Sequence, residues 1–167
     1  MPSEHRVLTI RLSEMRDAQA LMDIDALVWN EWTAPEPVRW SSREDYLRHC
    51  PPGSQLVAVV DNVLCGYIGF RPATGLSSNS HVCEINIAVH PDYQQEGIGS
   101  RLIEAGKKWA QEQGKRKLRL RVLSSNPGAI TFYRKCGFVQ EGCLEREFCI
   151  GGRDVDDILM SCFLARP

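Results

Sequence analysis

At 167 residues, 43% of them hydrophobic and 25% charged, the chain reads as one globular domain over residues 1–167, long enough to bury a core without disulfide or metal staples. A formal net charge of -1 argues against a broad basic field for nucleic acid or acidic membranes, and no apolar run approaches the roughly 18 residues that span a bilayer. Seven cysteines with no C-x-x-C pair and no histidine at ligand spacing argue against a metal centre or a catalytic thiol, and their odd number predicts a reducing, cytoplasmic setting.

In chain order, residues 7–12 alternate apolar and polar and predict a strand. Ser13 is placed to cap a helix whose apolar stripe runs through Met15, Leu21, Ile24, Leu27 and Val28. Asn30, Pro35 and Pro37 break the following segment, and Ser41-Ser42 predict a short second helix that ends at Pro51-Pro52-Gly53. Two strands, 56–60 and 63–70, flank the turn Asp61-Asn62. After a Gly/Ser/Asn loop, residues 82–90 form a longer strand. There Cys83, Ile85, Ile87 and Val89 face one way, and Glu84, Asn86 and Ala88 the other.

Helical spacing returns at Ile98, Leu102, Ala105-Gly106 and Trp109-Ala110, and Gly114 stops that helix. Leu118, Leu120 and Val122 mark the next strand. Asn126-Pro127 is a helix start with a cap and a proline at the first helical position. Strands over about 139–150 and 154–164 meet at Gly151-Gly152, a two-residue hairpin turn. The order β-α-α-β-β-β-α-β-α-β-β predicts a mixed sheet with helices on its faces, α/β or α+β in class. The short basic run Lys115-Arg116-Lys117 reads as a solvated helix end and strand start.

The chemistry concentrates where the strand ending at Val89 gives way to the helix beginning at Ile98. Gln94, Gln95, Glu96, Gly97, Ile98, Gly99 and Ser100 form a polar turn with two glycines. Glycines admit a ligand close to the backbone, and the first helical turn presents unpaired N–H groups at the positive end of its dipole. Such a turn suits a phosphate or pyrophosphate. It is not a dinucleotide fingerprint: Leu102 stands where a third glycine belongs, and the residues some 20 positions on are basic. Nor is there a Gly-Lys-Ser/Thr for a nucleotide P-loop.

What remains, Gln94-x-x-Gly97-x-Gly99, resembles the acetyl-CoA signature of the GCN5-related N-acetyltransferase (GNAT) superfamily. The run Asn126-x-x-Ala129-x-x-x-Tyr133-x-x-x-Gly137-Phe138 is similar to that family's second signature. The resemblance covers about residues 56–164 and is nearest to the phosphinothricin and amino-acid acetyltransferase-like branch. It implies a mostly antiparallel seven-stranded sheet with helices on both faces, and acetyl-CoA as cosubstrate without a metal. By that resemblance the backbone of Ile87, Ala88 and Val89 pairs with the pantetheine arm. Amides from Gln95 through Ser100 hold the pyrophosphate, and Asn126 contacts the coenzyme near its thiol end. Tyr133, two helical turns past Asn126 and on the same helix face, protonates the leaving thiolate.

A backbone N–H near Val89 is the expected oxyanion donor. Glu84 is the expected base, acting directly or through a water, with His81 and His90 weaker candidates. Family members that acetylate protein N-termini often carry a glutamate where this chain has Arg121, which counts against that acceptor class. Trp29, Trp32 and Trp40 either line an acceptor pocket or pack in the core. The expected acceptor is a small-molecule amine or amino acid. Protein N-termini or lysines, or a non-catalytic acetyl-CoA sensor, are the alternatives, and Tyr133 favours catalysis over sensing. The C-terminal hairpin offers an edge through which a homodimer could form.

Overall fold

A computed structural model describes residues 6–165. Seven strands form one sheet: β1 (Leu8–Leu12), β2 (Gln55–Val60), β3 (Val63–Pro72), β4 (Val82–Val89), β5 (Lys117–Leu123), β6 (Val139–Ile150) and β7 (Arg153–Phe163). Their spatial order is β1-β2-β3-β4-β5-β7-β6. Neighbours run antiparallel except β4 and β5, which are parallel. The helices are α1 (Ala18–Val28), α2 (Arg43–His49), α3 (Ile98–Glu112) and α4 (Pro127–Lys135). The architecture is the mixed, mostly antiparallel α/β sheet expected. Both predicted two-residue turns form, Asp61-Asn62 and Gly151-Gly152, each with two positive φ angles, the mirror-image turn whose twist matches that of the strands it joins.

Alternation along the strands fills two cores, one on each face of the sheet. On one face, Ile68, Ile85, Leu118, Leu120 and Met160 meet Leu102, Ile103 and Ala110 of α3 and Tyr133 of α4. On the other, Val57, Tyr67 and Ala88 meet Ala18, Leu21 and Ile24 of α1 and Tyr46 of α2. Burying a Leu or Ile side chain of this kind stabilises the fold by about 1.5–3 kcal/mol, so both helical layers are pinned to the sheet by their apolar stripes.

The start of α1 departs from expectation. Ser13 does not cap it: its backbone N–H bonds the Gln55 carbonyl at 2.8 Å, and its Oγ accepts from the Gly53 N–H at 3.2 Å. Glu14 and Asp17 instead form a capping box on a single turn, Met15–Asp17, that leads into α1. Asp17 also takes both terminal nitrogens of Arg11, at 2.7 and 2.9 Å, a bidentate pair that ties this turn to β1. Met15 and Leu27, expected in the stripe, are exposed. The stripe is narrower, and Asp25 occupies part of it.

Candidate active site

The sheet forks at its centre. β4 and β5 are in register only at Val82, Cys83 and Glu84, opposite Lys117, Leu118 and Arg119. Beyond that point β4 stays paired with β3 as far as Val89, and β5 with β7 as far as Leu123. The edge of β4 that faces β5 therefore carries backbone N–H and C=O groups without a strand partner from Ile85 onward, a template for an extended ligand.

The loop after β4 is shaped around the mouth of this fork. His90 accepts the Asp92 N–H at 3.1 Å and caps the single turn Pro91–Tyr93. Gln94 folds back, and its Nε2 donates to the Val89 carbonyl at 3.1 Å. Gln95 and Gly97 both take left-handed conformations, with φ of 68° and 78°, and this reverses the chain into α3. The first bond inside α3 runs from the Arg101 N–H to the Gly97 carbonyl at 3.1 Å. The amides of Ile98, Gly99 and Ser100 thus have no partner in a preceding turn and lie at the positive end of a helix of 15 residues. A Cβ on Gly99 would sit 3.0 Å from the Phe132 ring, so glycine there lets α4 approach the start of α3.

On the β5 side, Asn126 caps α4 by accepting the Ala129 N–H at 3.3 Å, and Pro127 follows it at the first helical position. Two turns later Tyr133 is 8% exposed, with ring centroids 5.4 Å from Phe132 and 5.9 Å from Phe138. Burial pushes its phenol pKa well above the ordinary value near 10.

These elements enclose a groove of ≈ 790 Å³, within the range of roughly 300–1,000 Å³ of small-molecule sites. Of the residues expected at the site, 87–89, Gln94, Gln95, 97–100, Asn126 and Tyr133 all line it. Glu96 does not; it points away and pairs with Arg6 at 3.2 Å. Glu84 also lies outside the lining. Its carboxylate, 12% exposed, sits at the root of the fork, 3.5 Å from Arg71 and 3.6 Å from Arg119. From that position, outside the lining, the route through a water is the form of the expected base role that the geometry suits.

The tryptophans divide. Trp29 lines the groove with Leu27, Val28, Asn30 and Thr33 at the end of α1. Trp40 is partly buried against the core on the α1 side, edge-on to Tyr46 at 5.0 Å. Trp32 is half exposed, with the Arg153 guanidinium 3.5 Å over its ring and its carbonyl accepting from Ser125 Oγ at 2.8 Å. Among the described residues no cluster of three or more His, Cys, Asp or Glu is disposed to hold a metal ion, and no helix is long and apolar enough to cross a membrane.

Sequence reasoning missed the groups behind Trp29. Asp25, 4% exposed, accepts hydrogen bonds from the Trp29 and Trp40 indoles and from the Tyr67 hydroxyl. The available signal was an acidic residue one turn after Leu21, on the apolar face of a helix.

The sequence matches the profile of the Acetyltransferase (GNAT) family over residues 21–138. It is 27% identical to a spermidine N(1)-acetyltransferase of Vibrio cholerae over 95% of this chain and 96% of that one. It is 29% identical to an L-amino acid N-acetyltransferase of Escherichia coli over 92% and 96%. The fold matches that of a phosphinothricin acetyltransferase from Sinorhizobium meliloti in complex with AcCoA, with a TM-score of 0.84 at 22% identity over 95% and 89% of the two chains.

Proposed function

Because the chain belongs to the acetyltransferase (GNAT) family, and so is an acetyl-CoA-dependent N-acetyltransferase, we propose that its acceptor is the primary amine of a small molecule or amino acid. Two relatives named for spermidine and for L-amino acids support this acceptor class. The observation that carries the reading is the fork: an unpartnered strand edge, an amide-lined helix start and a buried phenol converge on one groove. We further propose that residues 1–167 act as one domain, in the cytoplasm.

In this reading the pantetheine arm lies along the free edge of β4 at Ile87, Ala88 and Val89. The amides of residues 95–100 hold the pyrophosphate, where helix dipole and close backbone approach favour dianionic groups. The Asn126 carboxamide caps α4 with its oxygen, which leaves its NH₂ to meet the coenzyme near the thiol end. The coenzyme thereby presents its thioester at the fork, between Val89 and Tyr133.

The amine nitrogen attacks the thioester carbon, the C=O π pair moves onto oxygen, and a tetrahedral intermediate forms. A backbone N–H near Val89 stabilises the oxyanion. Collapse breaks the C–S bond, and the Tyr133 hydroxyl gives its proton to the departing thiolate. Burial keeps that phenol protonated at neutral pH, so the proton is held until the thiolate forms. The proton lost by the amine travels through water to Glu84, the carboxylate on the Ala88 side of β4, which lies 3.5 Å from Arg71 and 3.6 Å from Arg119.

The test is release of free thiol from acetyl-CoA across a panel of amines, amino acids and peptides. Turnover with small amines and none with peptides is the expected result. Preference for peptide N-termini or lysines moves the acceptor to proteins, and coenzyme binding without thiol release makes the chain a sensor.

A further inference from the structure

Asp25 is a carboxylate placed where a leucine would pack. It shares the buried face of α1 with Ala18, Leu21 and Ile24, and a buried carboxylate is tolerated only when hydrogen-bonded. Three donors meet it: Trp29 Nε1 at 3.1 Å, Trp40 Nε1 at 2.9 Å and the Tyr67 hydroxyl at 2.5 Å. The Tyr67 oxygen in turn accepts from Trp29 Nε1 at 3.0 Å and from Asn86 Nδ2 at 3.5 Å. Trp29 therefore shares its single N–H between Asp25 and Tyr67. Burial raises the Asp25 carboxyl pKa, and the three donors act against that rise.

The partners of this network belong to the groove. Trp29 ends α1 with an extended backbone, and its side chain is part of the groove wall. Tyr67 stands directly opposite Ala88 in the β3–β4 register, and Ala88 is also part of the wall. Asp25 thus links the last turn of α1 to the strand that carries the fork. A planar indole on a single bond has a broad choice of orientation, and two hydrogen-bond acceptors on its one N–H remove that choice.

We propose that Asp25 is a positioning residue for the acceptor: through Trp29, whose N–H it shares with Tyr67, it holds the wall against which the amine substrate docks, and so governs acceptor binding rather than coenzyme binding. This rests on the acetyltransferase reading, since it assigns the Trp29 end of the groove to the acceptor. A preorganised wall lowers the ordering cost of docking, and its loss appears in the acceptor KM.

The experiment is steady-state kinetics with the best amine of the panel, on Asp25→Asn, Tyr67→Phe, Trp29→Phe and the Asp25→Asn/Trp29→Phe double variant, with coenzyme affinity measured by calorimetry. Asp25→Asn keeps size and one carbonyl acceptor but sets an NH₂ against one of the three donors. The acceptor KM should rise about tenfold, the effect of one or two hydrogen bonds, with kcat and coenzyme affinity within about threefold. The double variant should be no worse than Trp29→Phe alone, because Asp25 acts through Trp29. Should Asp25→Asn fail to fold, Tyr67→Phe removes one donor, keeps the ring, and should show the same split. An unchanged acceptor KM in a folded variant, additive effects in the double, or equal losses for coenzyme and acceptor each overturn the proposal. A wild-type chain that turns over none of the amines removes the underlying reading, and this inference with it.

Discussion

Glu84 and Arg119 form the last parallel pair before β4 and β5 separate, and an ion pair of 3.6 Å joins them. Arg71 of β3 reaches the same carboxylate at 3.5 Å, so one acidic side chain clasps three adjacent strands at the root of the fork. The distance from that point to Ala88, on the same face of β4, is two further steps of the strand's two-residue repeat. In the proposed mechanism, a proton leaving the amine covers that distance through water.

Replacing Glu84 by Gln should lower kcat/KM about 10²-fold at neutral pH. The deficit should narrow as pH rises, because the acceptor amine then loses its proton unaided. A pH–rate profile checks this; a ratio of mutant to wild type that stays flat assigns Glu84 to the clasp alone.

Tyr133→Phe keeps the ring that packs against Phe132 and Phe138 and deletes only the hydroxyl. Turnover should fall about 10²–10⁴-fold while calorimetric affinity for coenzyme A stays within about twofold. Turnover equal to wild type would falsify the acid role.

Gly97 has φ of 78° and nothing within 4 Å of a Cβ built on it, so substitution there acts through backbone conformation and not through a clash. Gly97→Val should destabilise the protein by about 1–2 kcal/mol and weaken coenzyme binding, since the loop relaxes away from its left-handed turn. Gly97→Asn should retain most of both, because Asn tolerates that region. Thermal melts and coenzyme titrations of the pair separate strain from bulk.

The Arg11 guanidinium, hydrogen-bonded to Asp17, holds the Asp17 carboxyl below its ordinary range. A depressed folded pKa means stability that is present above the unfolded value of about 3.9 and lost as pH falls through the folded one. Asp17→Asn should therefore cost about 1–3 kcal/mol at pH 7 and much less near pH 2. Urea unfolding at the two pH values measures the difference; equal losses at both remove the ion pair as the cause.

The helices and strands were legible because each is local. The two-residue alternation at Cys83, Ile85 and Ile87 and the helical spacing at Ile98, Leu102 and Ala110 report which face is buried, whatever the partner. The turns at Asp61-Asn62 and Gly151-Gly152 carry their own geometry. The N-terminus of α1 differs from the expectation because Ser13, a residue type that suits a cap, is taken by Gln55 and Gly53 instead. Those partners, and the Arg11 that holds Asp17, lie on other segments.

Sequence alone determined the loop that turns β4 into α3 and the Asn126–Tyr133 face of α4, since glycine conformation, helix start and helical period act over a few residues. Tertiary structure decided that the two face one another, because the fork exists only where β4 keeps β3 and β5 keeps β7. It also decided that Glu84 is clasped by arginines, and that Asp25 meets Tyr67, 42 positions away, beneath the groove wall. Those contacts follow from packing among segments distant in the chain, and residue order alone carries no record of which segments will meet.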